Sequence, residues 1–325
     1  RRFVTELVYG TTRMRRAGDH LVSRHRQGGV TPRVAAALRL GAYQLAHTDV
    51  PAHAAVDATV GAAPKPARGL VNAVLRRVAA DLEHGGAEGV DWPDEATRLS
   101  YPDWVLAAVG EVLGAGAPAA LEAMNRPATT HVRADGYVQD LASQEVVAEV
   151  GARPGERVLD VCAAPGGKAT GMAAGGATVV AADSSPARAG LVVANAAALG
   201  HPLPVLVADG TAAPFADAAF DRVLVDAPCS GLGVLRRRPD ARWRIEATAP
   251  ARLADLQRRL LGEAARLVAP GGHLVYSVCT LTREEGDGVA DTAPLGPGWG
   301  PTGRRVIAPD DQRDGMFVAT WQRTP

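Results

Sequence analysis

The chain has 325 residues, 47% hydrophobic, 22% charged and 4% aromatic, with 35 basic and 35 acidic side chains. That length admits two or three domains and that apolar share a sizeable core. Three cysteines without a Cys-x-x-Cys pair exclude a disulfide framework and a thiolate metal site. No signal peptide and no apolar run of membrane-span length stand out, so the chain reads as cytoplasmic.

The zero net charge is unevenly placed. Residues 1–80 carry thirteen basic and four acidic side chains, and a second basic stretch, "RRRPDARWR", covers 236–244. Two concentrated basic regions in a balanced chain point to a polyanion partner. The alternative is a solvated arginine-rich face.

In chain order, residues 1–84 read as helical throughout. Thr31-Pro32 supplies a capping hydroxyl followed by proline in a first turn, and Val34, Leu38 and Leu45 keep helical spacing. A second stripe, Leu70, Val71, Val74, Leu75, Val78 and Leu82, predicts a helix over 69–82. His47 and His53 lie between these stripes and are assigned no site. The segment 83–95, "EHGGAEGVDWPDE", interrupts the pattern with glycine and proline and marks a boundary. A helical region near 102–125 follows, placing a linker and small helical subdomain over 85–135.

From Arg157 the pattern changes. Short apolar runs at 157–161, 178–183, 204–209, 221–226 and 273–278 alternate with helical stretches, the clearest at 251–268. Valine- and leucine-rich runs of this kind are buried parallel strands, so 136–325 reads as a doubly wound α/β domain. Four runs end at or next to an aspartate, Asp160, Asp183, Asp209 and Asp226, which lines carboxylates along the strand ends where such sheets bind ligands.

The first strand runs into "DVCAAPGGKAT" (160–170). A glycine pair between strand and helix lets a ligand approach the backbone. Cys162 and Ala169 stand where a phosphate-binding P-loop needs Gly and Ser or Thr, and the glycine spacing is not that of a dinucleotide site. S-adenosylmethionine, which has no phosphate, remains. Asp183 suits its ribose hydroxyls and Asp209 its adenine amine. Lys168 is one of only two lysines in the chain.

Two cysteines each follow an apolar run, Cys229 in "DAPCSGLG" (226–233) and Cys279 in "GGHLVYSVCTL" (271–281). With "VLDVCAAPGGK" (158–168), "VQDLASQ" (138–144) and "DGMFVA" (314–319), these segments resemble the RNA cytosine-5 methyltransferases. Within them the match is to the bacterial small-subunit ribosomal RNA enzymes. Residues 1–84, through "LRLGAYQL" (38–45) and "LVNAVLRRV" (70–78), resemble the NusB-like RNA-binding domain that precedes the catalytic part there. The resemblance implies an all-α NusB-like domain followed by a Rossmann-like S-adenosylmethionine methyltransferase domain. It implies cofactor binding by Cys162, Ala163, Ala164, Pro165, Gly166, Gly167, Lys168, Asp183, Arg188, Asp209 and Asp226.

The chemistry requires a thiol independently. Carbon 5 of cytosine becomes nucleophilic only after a thiolate adds at carbon 6. Asp226 is placed to relieve charge at N3. The residues alone do not say which cysteine attacks. The Pro-Cys pair of DNA cytosine-5 methyltransferases points to Cys229, whereas the RNA family implies Cys279 as nucleophile with Cys229 assisting release. Cys162 is given no role beyond its backbone. The bland alternative is that both cysteines are small buried apolar residues.

The expected substrate is a flipped or looped base in free small-subunit ribosomal RNA. The arginines of 236–244 are candidates to grip phosphate, and Trp243 to stack or, more simply, to pack. A monomer without metal is expected, with residues 1–84 weighing more on RNA affinity than on cofactor affinity. Competing readings are a methyltransferase acting on transfer RNA, a small molecule or a protein, and a non-catalytic RNA-binding factor. The segment 286–300 departs from the family in being short and glycine-rich, which leaves the carboxy-terminal edge of the sheet open.

Overall fold

The computed structural model describes residues 2–325. The chain divides into two compact units, one of Arg1–Ala107, Asn125–Pro127 and Arg236–Arg244, the other of Ala108–Met124, Ala128–Leu235 and Ile245–Pro325.

The first unit opens with helices Arg2–Arg13, Arg15–Ser23, Pro32–His47, Ala52–Ala62 and Arg68–Leu82. The expected stripes meet in one core, where Leu21, Leu38, Val71, Val74, Leu75 and Val78 are all nearly or fully buried; Leu70, expected on the second stripe, is exposed instead. Pro32 takes the first helical position as expected, but the Thr31 side chain makes no capping bond. The short helix Glu95–Leu99 is capped instead by Asp94, which accepts from the Thr97 amide.

The segment 236–244 also belongs to this unit, and two of its five arginines are buried rather than open to phosphate. Arg242 is fully buried and Arg236 nearly so. The Arg242 guanidinium lies 3.6 Å from the Tyr101 ring centroid. It donates to the carbonyls of Arg13 and Ser100, to Asn125 Oδ1 and to the Tyr101 hydroxyl. Burial lowers its pKa to about 10. Trp243 packs, donating its indole N–H to the Thr12 carbonyl at 2.7 Å. Arg237, Arg238 and Arg244 stay exposed.

Asp103–Ala123, 21 residues of mean hydropathy 1.5 in its most apolar window, does reach the length and composition of a membrane span, contrary to expectation. A 3-10 turn at Gly114–Gly116 divides it into helices of 11 and 7 residues, Asp103–Leu113 and Ala117–Ala123. Each piece is well short of the ~20 residues a spanning helix needs.

The second unit is built on a seven-stranded sheet: β1 (Arg157–Asp160), β2 (Thr178–Asp183), β3 (Val205–Val207), β4 (Phe220–Asp226), β5 (Val268–Val278), β6 (Trp299–Ile307) and β7 (Met316–Arg323). Their order is β3-β2-β1-β4-β5-β7-β6. The first five are parallel, and β7 is antiparallel to both β5 and β6. All five expected runs are strands. The third is shorter, ending at Val207, and the fifth begins at Val268, with its pairing to β4 shifting between Phe220 and Arg222. β6 and β7 close the edge left open by the sequence reading.

Both sheet faces are covered. Leu159, Val223, Val225, Leu274, Tyr276 and Trp321 enter one core, and their strand neighbours Val158, Leu224, Val275 and Val318 enter the other. This period of two is what a sheet buried on both sides imposes. The strand order reverses between β1 and β4. Ligands of doubly wound sheets bind at such a switch point, outside the carboxyl ends of the strands.

Candidate active site

The loops after β1, β2, β4 and β5 converge at these carboxyl ends. The first turns at Gly166, which has φ +105°, and enters the helix Gly167–Ala174. That φ favours glycine. A Cβ on Gly167 would stand 2.9 Å from Tyr137 Cε1, so the backbone comes closer here than a side chain permits. Arg133 fixes the loop by donating to the Gly167 carbonyl at 2.5 Å and to Thr170 Oγ1 at 3.0 Å.

Asp183 is nearly buried. It accepts from the amides of Ala164 at 3.3 Å and Ser185 at 3.0 Å, and Arg188 Nη2 lies 3.4 Å from it. Arg188 also donates to the Ala164 carbonyl at 3.2 Å. Asp183 and Arg188 are therefore bound into the Cys162–Lys168 loop. Asp209 is not. It lies two residues beyond β3, exposed, and accepts from the Thr211 amide and hydroxyl, bonds that hold its carboxyl below the ordinary range.

Lys168 reaches from the loop to Asp226 at the end of β4, with Nζ 2.7 Å from Oδ2. Ser277 of β5 donates to the other oxygen at 2.7 Å. Burial alone would lower the Lys168 pKa, but the Asp226 carboxylate outweighs it and the ammonium is held above its usual range.

Asp160, at the end of β1, is 1% exposed; its carboxyl oxygens make no well-formed hydrogen bond among the described residues, and the Cys162 amide is the one backbone group near enough to favour its charge. Burial first, then the nearby Asp226 charge, push it up to about 8 against the opposing pull of Lys168. A buried polar pair of this kind calls for a partner, and an incoming ligand with donors would fit the space that the glycine loop leaves. Cys162 is partly buried, and burial with the charges of Asp160, Asp226 and Asp183 raises its thiol, which suits a residue with no chemical role.

The Cys229 and Cys279 sulfurs are 3.3 Å apart. The Cys229 thiol is held well above its usual range, first by its hydrogen bond to Cys279, then by burial and by the Cys279, Glu285 and Asp226 charges. The loops that carry them are joined by a backbone bond from Gly233 to the Cys279 carbonyl at 3.0 Å. A buried cluster of Ser230, Gln257, Tyr276, Thr280, Thr282 and Glu285 packs behind them.

The structure thus joins the loop, Lys168, Asp183, Arg188, Asp226, Cys229 and Cys279, while Asp209 bonds to Thr211 and its chain neighbours Ala208 and Gly210 lie against Asp183 and Val161. Sequence reasoning passed over Arg133, Tyr137, Ser277 and Glu285. It noted Asp160 only as a strand-end carboxylate. The position of Asp160 ahead of a glycine loop could have flagged it, whereas no local signal marks the others.

The geometry agrees with comparisons to known proteins. The family profile "16S rRNA methyltransferase RsmB/F" matches residues 148–296, and the NusB family profile matches residues 1–80. The ribosomal RNA small subunit methyltransferase B of Thermus thermophilus is 39% identical over 324 residues, covering 89% of this chain and 77% of that protein. The enzyme of the same name from Vibrio cholerae is 30% identical over 345 residues, covering 86% and 79%. Among solved structures, PH0851 superposes with a TM-score of 0.76 at 20% identity, covering 99% of this chain and 90% of its own, a likeness of fold. NSun6 from Pyrococcus horikoshii, solved with SFG, gives a TM-score of 0.53 at 26% identity over 58% of this chain and 53% of its own. Profile, relatives, fold and converging loops agree: the chain belongs to the RsmB/F family of ribosomal RNA methyltransferases, with a NusB-family region at its amino-terminal end.

Proposed function

We propose that this enzyme methylates carbon 5 of a cytosine in small-subunit ribosomal RNA through a covalent cysteine adduct. What supports the reading most is the 3.3 Å separation of Cys229 and Cys279, set beside the Lys168–Asp226 pair. S-adenosylmethionine, when bound, supplies an electrophilic methyl group. The Cys162–Lys168 loop, Asp183 and Arg188 are the residues assigned to hold it. Asp209, whose chain neighbours Ala208 and Gly210 lie against Asp183 and Val161, is assigned to its adenine.

In this reading the Cys279 thiolate adds to carbon 6, and the electrons displaced from the ring are met at N3 by a proton from the Lys168 ammonium, passed through the Asp226 carboxylate that holds it and returned when the adduct breaks down. Carbon 5 is then the nucleophile of an enamine. After methylation the carbon 5 proton must go to a base, and the sulfur–carbon bond then breaks to return the Cys279 thiolate. Cys229 is assigned that proton, which it takes as a thiolate after its own proton has passed to solvent. Its hydrogen bond to Cys279 is the largest cause of its raised pKa. Once the Cys279 sulfur is bonded to carbon 6 it carries no charge, so that cause is removed at the stage when a base is needed. The RNA is assigned to the basic NusB-like region 1–84, with 85–135 linking it to the chemistry in 136–325, acting as a monomer.

The test is a denaturing gel of Cys229→Ala and Cys279→Ala proteins incubated with labelled, unmodified small-subunit ribosomal RNA and S-adenosylmethionine. A protein–RNA band that survives with Cys229→Ala and vanishes with Cys279→Ala supports the assignment. The reverse pattern exchanges the two roles. No band with either protein counts against the covalent chemistry.

A further inference from the structure

Behind the two cysteines lies a fully buried carboxylate that the reaction does not use. Glu285 is 0% exposed. Its Oε1 accepts from the Ser230 amide at 2.8 Å and from Gln257 Nε2 at 3.1 Å. Its Oε2 accepts from the Ser230 hydroxyl at 2.5 Å and from the Thr282 hydroxyl at 3.1 Å. Its carbonyl accepts from the Tyr276 hydroxyl at 2.6 Å. The Ser230 and Thr280 hydroxyls are 2.7 Å apart, and Gln257 also donates to the Pro228 carbonyl at 2.9 Å.

These partners have a pattern. Pro228 and Ser230 flank Cys229, and Thr280 follows Cys279. All four donors to the carboxylate are neutral, and no cation offsets its charge within the bonds described. Burial accordingly raises its pKa, against the pull of Ser230, Gln257 and Thr282. A buried carboxylate is costly to keep unless its geometry does something that an apolar residue could not. Here its four acceptor sites draw the Cys229 turn and the segment after Cys279 onto one point.

We propose that Glu285 is a positioning residue that sets Cys229 against Cys279. The proposal rests on the reading of Cys229 as the residue that releases the product. Loss of the carboxylate lets the Cys229 turn drift while Cys279, at the end of a central strand, keeps its place. Release then slows more than addition does.

Two measurements on the full chain test this, with Glu285→Gln as the variant. The first is the rate at which the azo dithiol oxidant diamide joins Cys229 to Cys279, mapped by peptide mass. Two thiols become one disulfide as the azo group is reduced to a hydrazine. This rate should fall about tenfold if the sulfurs are no longer held together. The second is the fraction of protein trapped on unmodified small-subunit ribosomal RNA with S-adenosylmethionine. It should rise in Glu285→Gln, and Cys229→Ala with Glu285→Gln should trap no more than Cys229→Ala alone. Should Glu285→Gln fold poorly, Ser230→Ala removes the hydroxyl bonds, keeps the amide donor, and should move both readouts in the same direction. Unchanged disulfide rate and adduct level overturn the proposal, as does a drop in thermal stability with the disulfide rate unmoved. A slowed disulfide rate with no adduct in any protein upholds the positioning and removes the covalent reading.

Discussion

Lys168 Nζ lies 2.7 Å from Asp226 Oδ2, although 58 residues separate the two in the chain. The pair spans the switch point of the sheet and joins the cofactor loop to the strand that leads to Cys229. Lys168→Met leaves Asp226 with Ser277 alone. Methyl transfer to ribosomal RNA is expected to fall by about 10²-fold, the scale of a lost acid–base group. Asp226→Asn should do the same, and the double variant should be no slower than the slower single one, because the two act as a unit. Single-turnover methylation checks this, and additive losses would mean the pair does not function together.

Asp160 predicts a pH dependence of folding. Its carboxyl is raised from 3.8 to about 8 in the native protein. Between those values the native state holds a proton that the unfolded state has released. The contribution of Asp160 to stability therefore falls as pH rises through that window, and above about 8 the full penalty of a buried charge is present. Asp160→Asn removes the penalty. The midpoint of thermal unfolding of the variant, relative to the parent, should rise between pH 5 and pH 8.5. A difference that is flat in pH would show Asp160 to be ionised throughout.

Arg242 and Arg238 sit four residues apart with opposite roles. Arg242→Ala leaves the Arg13 and Ser100 carbonyls, Asn125 and the Tyr101 hydroxyl without their donor. A loss of about 3 kcal/mol or more in denaturant unfolding is expected. Arg238 is exposed, and Arg238→Ala should change stability by less than about 0.5 kcal/mol. If Arg238 meets phosphate, its removal lowers the slope of RNA affinity against salt by about one. Equal destabilisation by both substitutions would contradict the burial pattern.

Gly166 supplies a fourth test. Its φ of +105° is strained for any other residue, and an added Cβ would stand 3.2 Å from Val192 Cα. Gly166→Ala should cost about 1–3 kcal/mol of stability. It should also weaken S-adenosylmethionine binding, read by calorimetry, more than Gly190→Ala does, since a Cβ at Gly190 meets open space.

Much of this was legible in the sequence, for a physical reason. Buried parallel strands must be continuous apolar runs, so β1, β2, β4 and most of β5 announce themselves, and their terminal aspartates mark the ligand edge. β6 is hidden because its face is exposed and its sequence, "WGPTGRRVI", carries glycine and proline. Thr31 has the residue type of a cap but not its hydrogen bond. The basic run at 236–244 reads as surface because composition cannot tell a guanidinium aimed at solvent from one aimed at carbonyls. Arg242 finds its partners at Arg13, Ser100 and Asn125, from 117 to 229 residues away. Glu285 is invisible for the same reason: its meaning depends on Ser230, 55 residues earlier.

The first unit is assembled from three separate stretches of chain, the last of which is Arg236–Arg244. No single cut can therefore release it whole. A fragment ending anywhere before Arg236 lacks the guanidinium that fills its interior, and removal of residues 1–84 strips Arg242 and Trp243 of the Arg13 and Thr12 carbonyls they donate to. Binding lost on such truncation would mix damage to RNA contacts with exposure of a buried charge. Point substitutions on the exposed arginines separate the two.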